Sequence, residues 1–63
     1  MSPGENMRVY REQHGMTQAE LGAKLGAFTR QNVSNIENGH RPISKAAAKR
    51  LSELFDVSVE KFI

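Results

Sequence analysis

Residues 17–39 read TQAELGAKLGAFTRQNVSNIENG, and this stretch carries the punctuation of two short helices. Thr17-Gln18-Ala19-Glu20 is a capping box: the Thr hydroxyl accepts from the third helical N–H, and the Glu carboxylate accepts from the cap's own N–H. The helix that follows runs over about 18–25, with Leu21 and Leu25 on one face, and stops at Gly26, where a left-handed residue is tolerated. Thr29 caps a second helix that places Val33 and Ile36 on one face and ends at Asn38-Gly39. Gly22 is out of place in a helix interior, where it costs about 1 kcal/mol relative to Ala. With Ala23 beside it, the expected reason is the close approach of another helix.

Working outward, Ser2-Pro3-Gly4-Glu5 is a second capping box with Pro in the first helical position, where its missing N–H costs nothing. It opens a helix over Pro3–Gln13 that stops at Gly15. Ser44 caps a fourth helix ending near Phe55-Asp56, and Ser58 caps a last single turn to Phe62. No segment alternates apolar and polar residues long enough for a strand, so the chain is all-α. Met7 and Tyr10, Leu21 and Leu25, Val33 and Ile36, and Ala48, Leu51 and Phe55 recur at helical spacing and form the expected core, with Met16, Val57 and Phe62 closing its ends. Met1-Ser2 and Ile63 are expected to fray.

The chain has 63 residues and no Cys. That length suits one domain over 1–63 and is too small for a catalytic cleft between subdomains. The lack of Cys excludes disulfides and a zinc finger. No apolar run is long enough to span a membrane, and residues 1–20 lack the pattern of a signal peptide. A cytoplasmic, non-enzymatic protein without cofactor or metal is expected. The net charge is only +2, but it is unevenly spread. Residues 24–50 hold Lys24, Arg30, Arg41, Lys45, Lys49 and Arg50 against Glu37 alone, a balance of +5, while the segments before and after are at −1 and −2. Such a field attracts polyanions, nucleic acid above all, although a basic solvated surface would have the same composition.

The helix after Thr29 separates the two readings. With Val33 at the origin of a wheel at about 100° per residue, Gln31, Asn38 and Asn35 fall together at about 140–200°, opposite the apolar face. Amides there are poorer helix formers than Lys or Glu and solvate the surface less well. They are well suited to the major groove, because Gln and Asn pair bidentately with adenine and Arg with guanine. Two short helices joined by a Gly-containing turn, with an amide stripe flanked by Arg30 on the second, are the elements of a DNA-binding helix-turn-helix.

The stretches MRVYREQHGMTQAELGAKLG, TRQNVSNIENG and ISKAAAKRLSELFDVSVEKF together resemble the phage-repressor-like family of lambda-type repressors and Cro proteins, over nearly the whole chain. The resemblance implies a compact five-helix lambda-repressor-like domain whose helices 2 and 3 form the helix-turn-helix. It implies that Arg30, Gln31 and Asn35 reach base edges, with Asn32 a further candidate, and that Gln18 meets a phosphate and braces the recognition helix. Asn38 and Arg41 would hold the DNA backbone after helix 3, joined by Thr29, Ser34, His40 and Lys45 as phosphate candidates. It also implies a structural ion pair between Arg11 and Glu37, which explains why Glu37 falls on the inward side. One departure stands out: the turn GAFTRQ is one residue longer than the family's, so that either Ala27 or Phe28 is extra. Phe28 either packs over the core or sits exposed beside the DNA, and burial of an apolar ring, worth about 2 kcal/mol, favours packing.

The expected function is a sequence-specific transcriptional regulator, a repressor binding an inverted-repeat operator as a homodimer, because one module of this size contacts only a half-site. The resemblance places dimer contacts in the last helix, at Val59, Phe62 and Ile63, although Phe62 also suits the core. The competing reading is a protein-interaction module, the antitoxin of a toxin–antitoxin pair, with a toxin protein as partner. The absence of a flexible segment after Ile63 counts against pure sequestration. His14 and His40 stand beside helix ends without nearby Cys or carboxylates, which fits surface or cap roles better than metal binding.

Overall fold

A computed structural model describes residues 2–26 and 28–63. Four α-helices follow one another: α1 (Pro3–Gln13), α2 (Gln18–Lys24), α3 (Arg30–Glu37) and α4 (Lys45–Phe55). A single 3-10 turn over Val59–Phe62 completes the described chain. The expectation of five helices is thereby corrected. The last segment has only four residues and a poorer hydrogen-bond geometry than an α-helix, as befits a short terminal turn.

The caps explain the boundaries. Ser2 accepts from Glu5 N–H and Thr17 from Glu20 N–H, each with the reciprocal bond from the Glu carboxylate to the cap N–H. Thr29 and Ser44 accept from the backbone N–H of Asn32 and Ala47. Gly26 takes the left-handed conformation just past α2, at φ 103°, where a side chain would be strained. At the end of α4 that conformation falls to Asp56 rather than to a glycine, at φ 55°.

Met7, Leu21, Leu25, Val33, Ile36, Ala48, Leu51, Phe55 and Phe62 form the buried core, with Tyr10, Met16, Phe28, Ile43, Leu54 and Val57 packed around it. Three aromatic rings pack where α1, α4 and the final turn meet: Tyr10 stacks on Phe55 at 5.7 Å and meets Phe62 edge-on at 5.8 Å. Phe62 is fully buried. A ring that fills the core is not available to a second copy of the chain, so Phe62 is removed from the candidate dimer contacts.

Two glycines set how closely the elements approach. A Cβ at Gly22 would overlap the backbone carbonyl oxygen of Phe28. The expected neighbour was another helix, and the actual one is the backbone of the turn between α2 and α3. Gly4 is where helices do come together, since a Cβ there would overlap the carbonyl oxygen of Ile36 on α3. Ala27, one of the two candidates for the extra turn residue, lies outside the described residues, as does Met1.

Candidate nucleic-acid interface

The position of α3 is fixed by its one buried charge. Glu37 is 8% exposed, and both its carboxylate oxygens are used. Arg11 donates to it from Nε at 2.6 Å and from Nη2 at 3.2 Å, while Gln18 donates from Nε2 at 3.1 Å. Arg11 turns its remaining Nη1 to the Met16 carbonyl oxygen at 2.8 Å, so α1, the loop before α2, α2 itself and α3 meet at one carboxylate. A buried charge is tolerated only when paired and fully hydrogen-bonded, and among the described residues no buried side-chain polar atom is left without a partner.

The opposite side of α3 is polar and open. Arg30 and Gln31 are exposed, with Asn32, Ser34 and Asn35 half-buried. Gln31 Nε2 donates to Asn35 Oδ1 at 3.1 Å, one turn on. This bond aligns the two carboxamides and, among the described residues, leaves the Gln31 carbonyl, its second N–H and the Asn35 amide unused. In the next turn Asn38 Nδ2 donates to Ser34 Oγ at 3.3 Å. The face therefore offers a row of preordered donors and acceptors.

The flanks supply charge. Thr29 is exposed at the start of α3 with its hydroxyl engaged as the cap. Past α3, His40 N–H donates to the Asn35 carbonyl oxygen at 2.8 Å, folding the chain back. Arg41 then comes to lie over Phe28, with its guanidinium carbon 4.9 Å from the ring centroid. Phe28 is half-buried against the core, so it packs inward and still lends a face to a neighbour. Because the only acid between residues 24 and 50, Glu37, is buried and neutralised by Arg11, the exposed charges of that segment are all positive: Lys24, Arg30, Arg41, Lys45, Lys49 and Arg50.

The other candidates are placed elsewhere. Val59 is 38% and Ile63 69% exposed, and both lie at the end where α1 packs on the final turn, tied by the bond from Asn6 Nδ2 to the Lys61 carbonyl oxygen at 2.8 Å. His14 puts Nδ1 2.9 Å from the Tyr10 carbonyl oxygen and its ring 4.8 Å from Phe55, an arrangement that closes the end of α1. The resemblance implied that Gln18 braces α3 without naming Glu37 as its acceptor, and the sequence did not anticipate two further contacts, Phe28 with Arg41 and Gly4 with Ile36. The inward direction of Glu37 was the available signal for that acceptor, because a buried carboxylate has more acceptor sites than one guanidinium satisfies. The glycine of the first turn, buried against α3 in the structure, gave no sign in the sequence of its contact with Ile36.

Two short helices joined by a turn, the second pinned through a buried carboxylate and showing an amide face outward, agree with the match found across the chain. The helix-turn-helix family profile covers residues 7–62. The chain belongs to the helix-turn-helix family. It is 34% identical over 61 residues to a competence pilus inhibition repressor of Acinetobacter baylyi, covering 97% of this chain and 54% of that protein. It is also 34% identical over 58 residues to a protein of Pyrococcus horikoshii provisionally named as an HTH-type transcriptional regulatory protein, covering 92% of this chain and 18% of that one. The chain thus spans about half the length of one of these helix-turn-helix relatives and under a fifth of the other. No solved structure matches it. Among the described residues no helix is long and apolar enough to cross a membrane.

Proposed function

We propose that this helix-turn-helix chain is a sequence-specific DNA-binding transcriptional repressor, acting in the cytoplasm as a homodimer on an inverted-repeat operator with α3 in the major groove. The observation that carries the reading is the hydrogen-bonded pair of Gln31 and Asn35 on the open face of α3. A carboxamide braced by its neighbour meets a base edge with less loss of side-chain entropy, and the unused carbonyl and N–H of Gln31 match adenine N6 and N7. Arg30 beside them suits guanine, with Asn32 at the margin. Gln18, Thr29, Ser34, Asn38, His40, Arg41 and Lys45 surround the pair as phosphate contacts, and a binder of this kind owes much of its affinity to such sequence-independent contacts. The repressor assignment draws on the name of the Acinetobacter relative. The exposed Val59 and Ile63 are the apolar surface proposed to join two copies.

Selection of bound duplexes from a random-sequence pool tests this. The reading expects enrichment of a short inverted repeat whose half-sites lie about one helical turn apart, 10–10.5 bp centre to centre, or a multiple of it. Recovery of duplexes without a shared sequence, bound in a merely salt-dependent way, would refute the operator.

A further inference from the structure

Phe28 and Arg41 flank α3 in sequence and meet in space, with the guanidinium carbon 4.9 Å from the ring centroid. The ring is held by its own backbone. Phe28 N–H donates to the Gly26 carbonyl oxygen at 2.9 Å, its carbonyl oxygen lies in the space that the missing side chain of Gly22 leaves, and the ring packs against the core. Among the described residues the Arg41 side chain makes neither a hydrogen bond nor an ion pair, and the nearest acid in sequence, Glu37, is consumed by Arg11 and Gln18. The ring is thus the contact that restrains this cation.

A stacked guanidinium is occupied on its face and free on its edge. Its five N–H donors lie in the plane, in the fork that matches two phosphate oxygens, and the aromatic face offsets the cost of holding a long side chain still. We propose that Phe28 is a positioning residue for DNA binding: its ring preorders Arg41, so that the guanidinium edge is ready for a backbone phosphate beside the recognition helix. The longer turn before α3 then has a use, since it carries the ring on which that cation rests. The inference depends on the DNA reading above and goes beyond it in giving the turn before α3 a part in holding the DNA backbone.

A double-mutant cycle read by duplex affinity tests the pair, using one mixed-sequence duplex as probe and thermal melting as the control for folding. Phe28→Leu keeps an apolar filler and removes the aromatic face. It is expected to weaken binding about two- to five-fold, the range of an exposed cation–π contact, and to have no effect in the background of Arg41→Ala. Phe28→Tyr is expected to bind like the unaltered protein. Arg41→Ala should in addition lower the slope of log affinity against log salt by about 0.9, the loss of one phosphate contact. Equal weakening by Phe28→Leu with and without Arg41→Ala, or no weakening at all, overturns the proposal.

Should Phe28→Leu fail to fold, Arg41→Lys reads the same contact from the other side. It retains the charge and loses the planar fork, so affinity should fall about two- to five-fold at an unchanged salt slope. Undiminished affinity overturns the proposal. If the unaltered protein binds no duplex, the DNA reading and this inference fall together; if it binds and the cycle shows no coupling, this inference alone fails.

Discussion

Arg11 Nε donates to Glu37 Oε2 across 2.6 Å, and through this contact the first helix sets the position of the third. The Glu37 side chain is only 3% exposed and that of Arg11 12%. Attraction between the two groups is largely offset by the loss of their hydration, so the pair is better described as fixing the packing of α1, α2 and α3 than as a large source of stability. What costs most is leaving one partner alone.

Arg11→Ala strands the Glu37 carboxylate with only Gln18 as a donor, and should cost about 3–5 kcal/mol. In a domain of this size that is a large part of the total stability. Urea unfolding should show a much lower midpoint than for the unaltered chain. The double replacement Arg11→Met with Glu37→Leu should recover most of the loss, because no charge is then left buried. An unchanged midpoint for Arg11→Ala would show that the pair does not carry the packing.

Gly22→Ala sets helix propensity against close contact. In an open helix the change stabilises by about 1 kcal/mol, but here the new methyl would overlap the Phe28 carbonyl oxygen. The turn must shift, at a cost of about 1–3 kcal/mol. The same reasoning holds at Gly4, where the obstacle is the Ile36 carbonyl oxygen. Both variants should melt below the unaltered protein, and a rise in melting temperature for either would contradict the contact.

These two glycines mark the limit of what can be read from the chain alone. Caps are local, so Ser2 with Glu5 and Thr17 with Glu20 announce α1 and α2, and Val33 with Ile36 gives the buried side of α3 by spacing. Gly4, by contrast, looks like a poor helix former until Ile36 of another helix is brought against it. Phe62 likewise sits in a terminal turn that suits an interface as well as a core, and only the meeting of Tyr10, Phe55 and Phe62 shows which. The amide face of α3 is legible because Gln31 and Asn35 are one turn apart. The meeting of Phe28 with Arg41 depends on how the chain returns after Gly39, which no local rule supplies.

The Glu20 carboxyl is held below its ordinary value of 4.5 first by the Thr17 backbone N–H and second by the Thr17 hydroxyl. Glu5 is lowered in the same way by Ser2. A carboxyl depressed in the folded state contributes stability that is fully present above its unfolded value and is lost as pH falls through the folded one. Unfolding midpoints should therefore decline as pH drops below 4.5. Glu20→Gln should make that decline shallower while changing little at neutral pH. An acid slope identical to that of the unaltered chain would remove the capping carboxylate from the account.

The central claim is that the open face of α3 reads bases while its charged surroundings hold the DNA backbone. It is tested most directly by comparing Gln31→Ala with Lys45→Ala on the duplex recovered by selection and on its single-base variants. The account predicts that Gln31→Ala abolishes discrimination at one position in each half-site, a loss of about 1–3 kcal/mol confined to that position. Lys45→Ala should weaken every duplex alike and lower the salt slope by about one. If both substitutions weaken all duplexes equally and leave every base preference intact, α3 does not read sequence through Gln31.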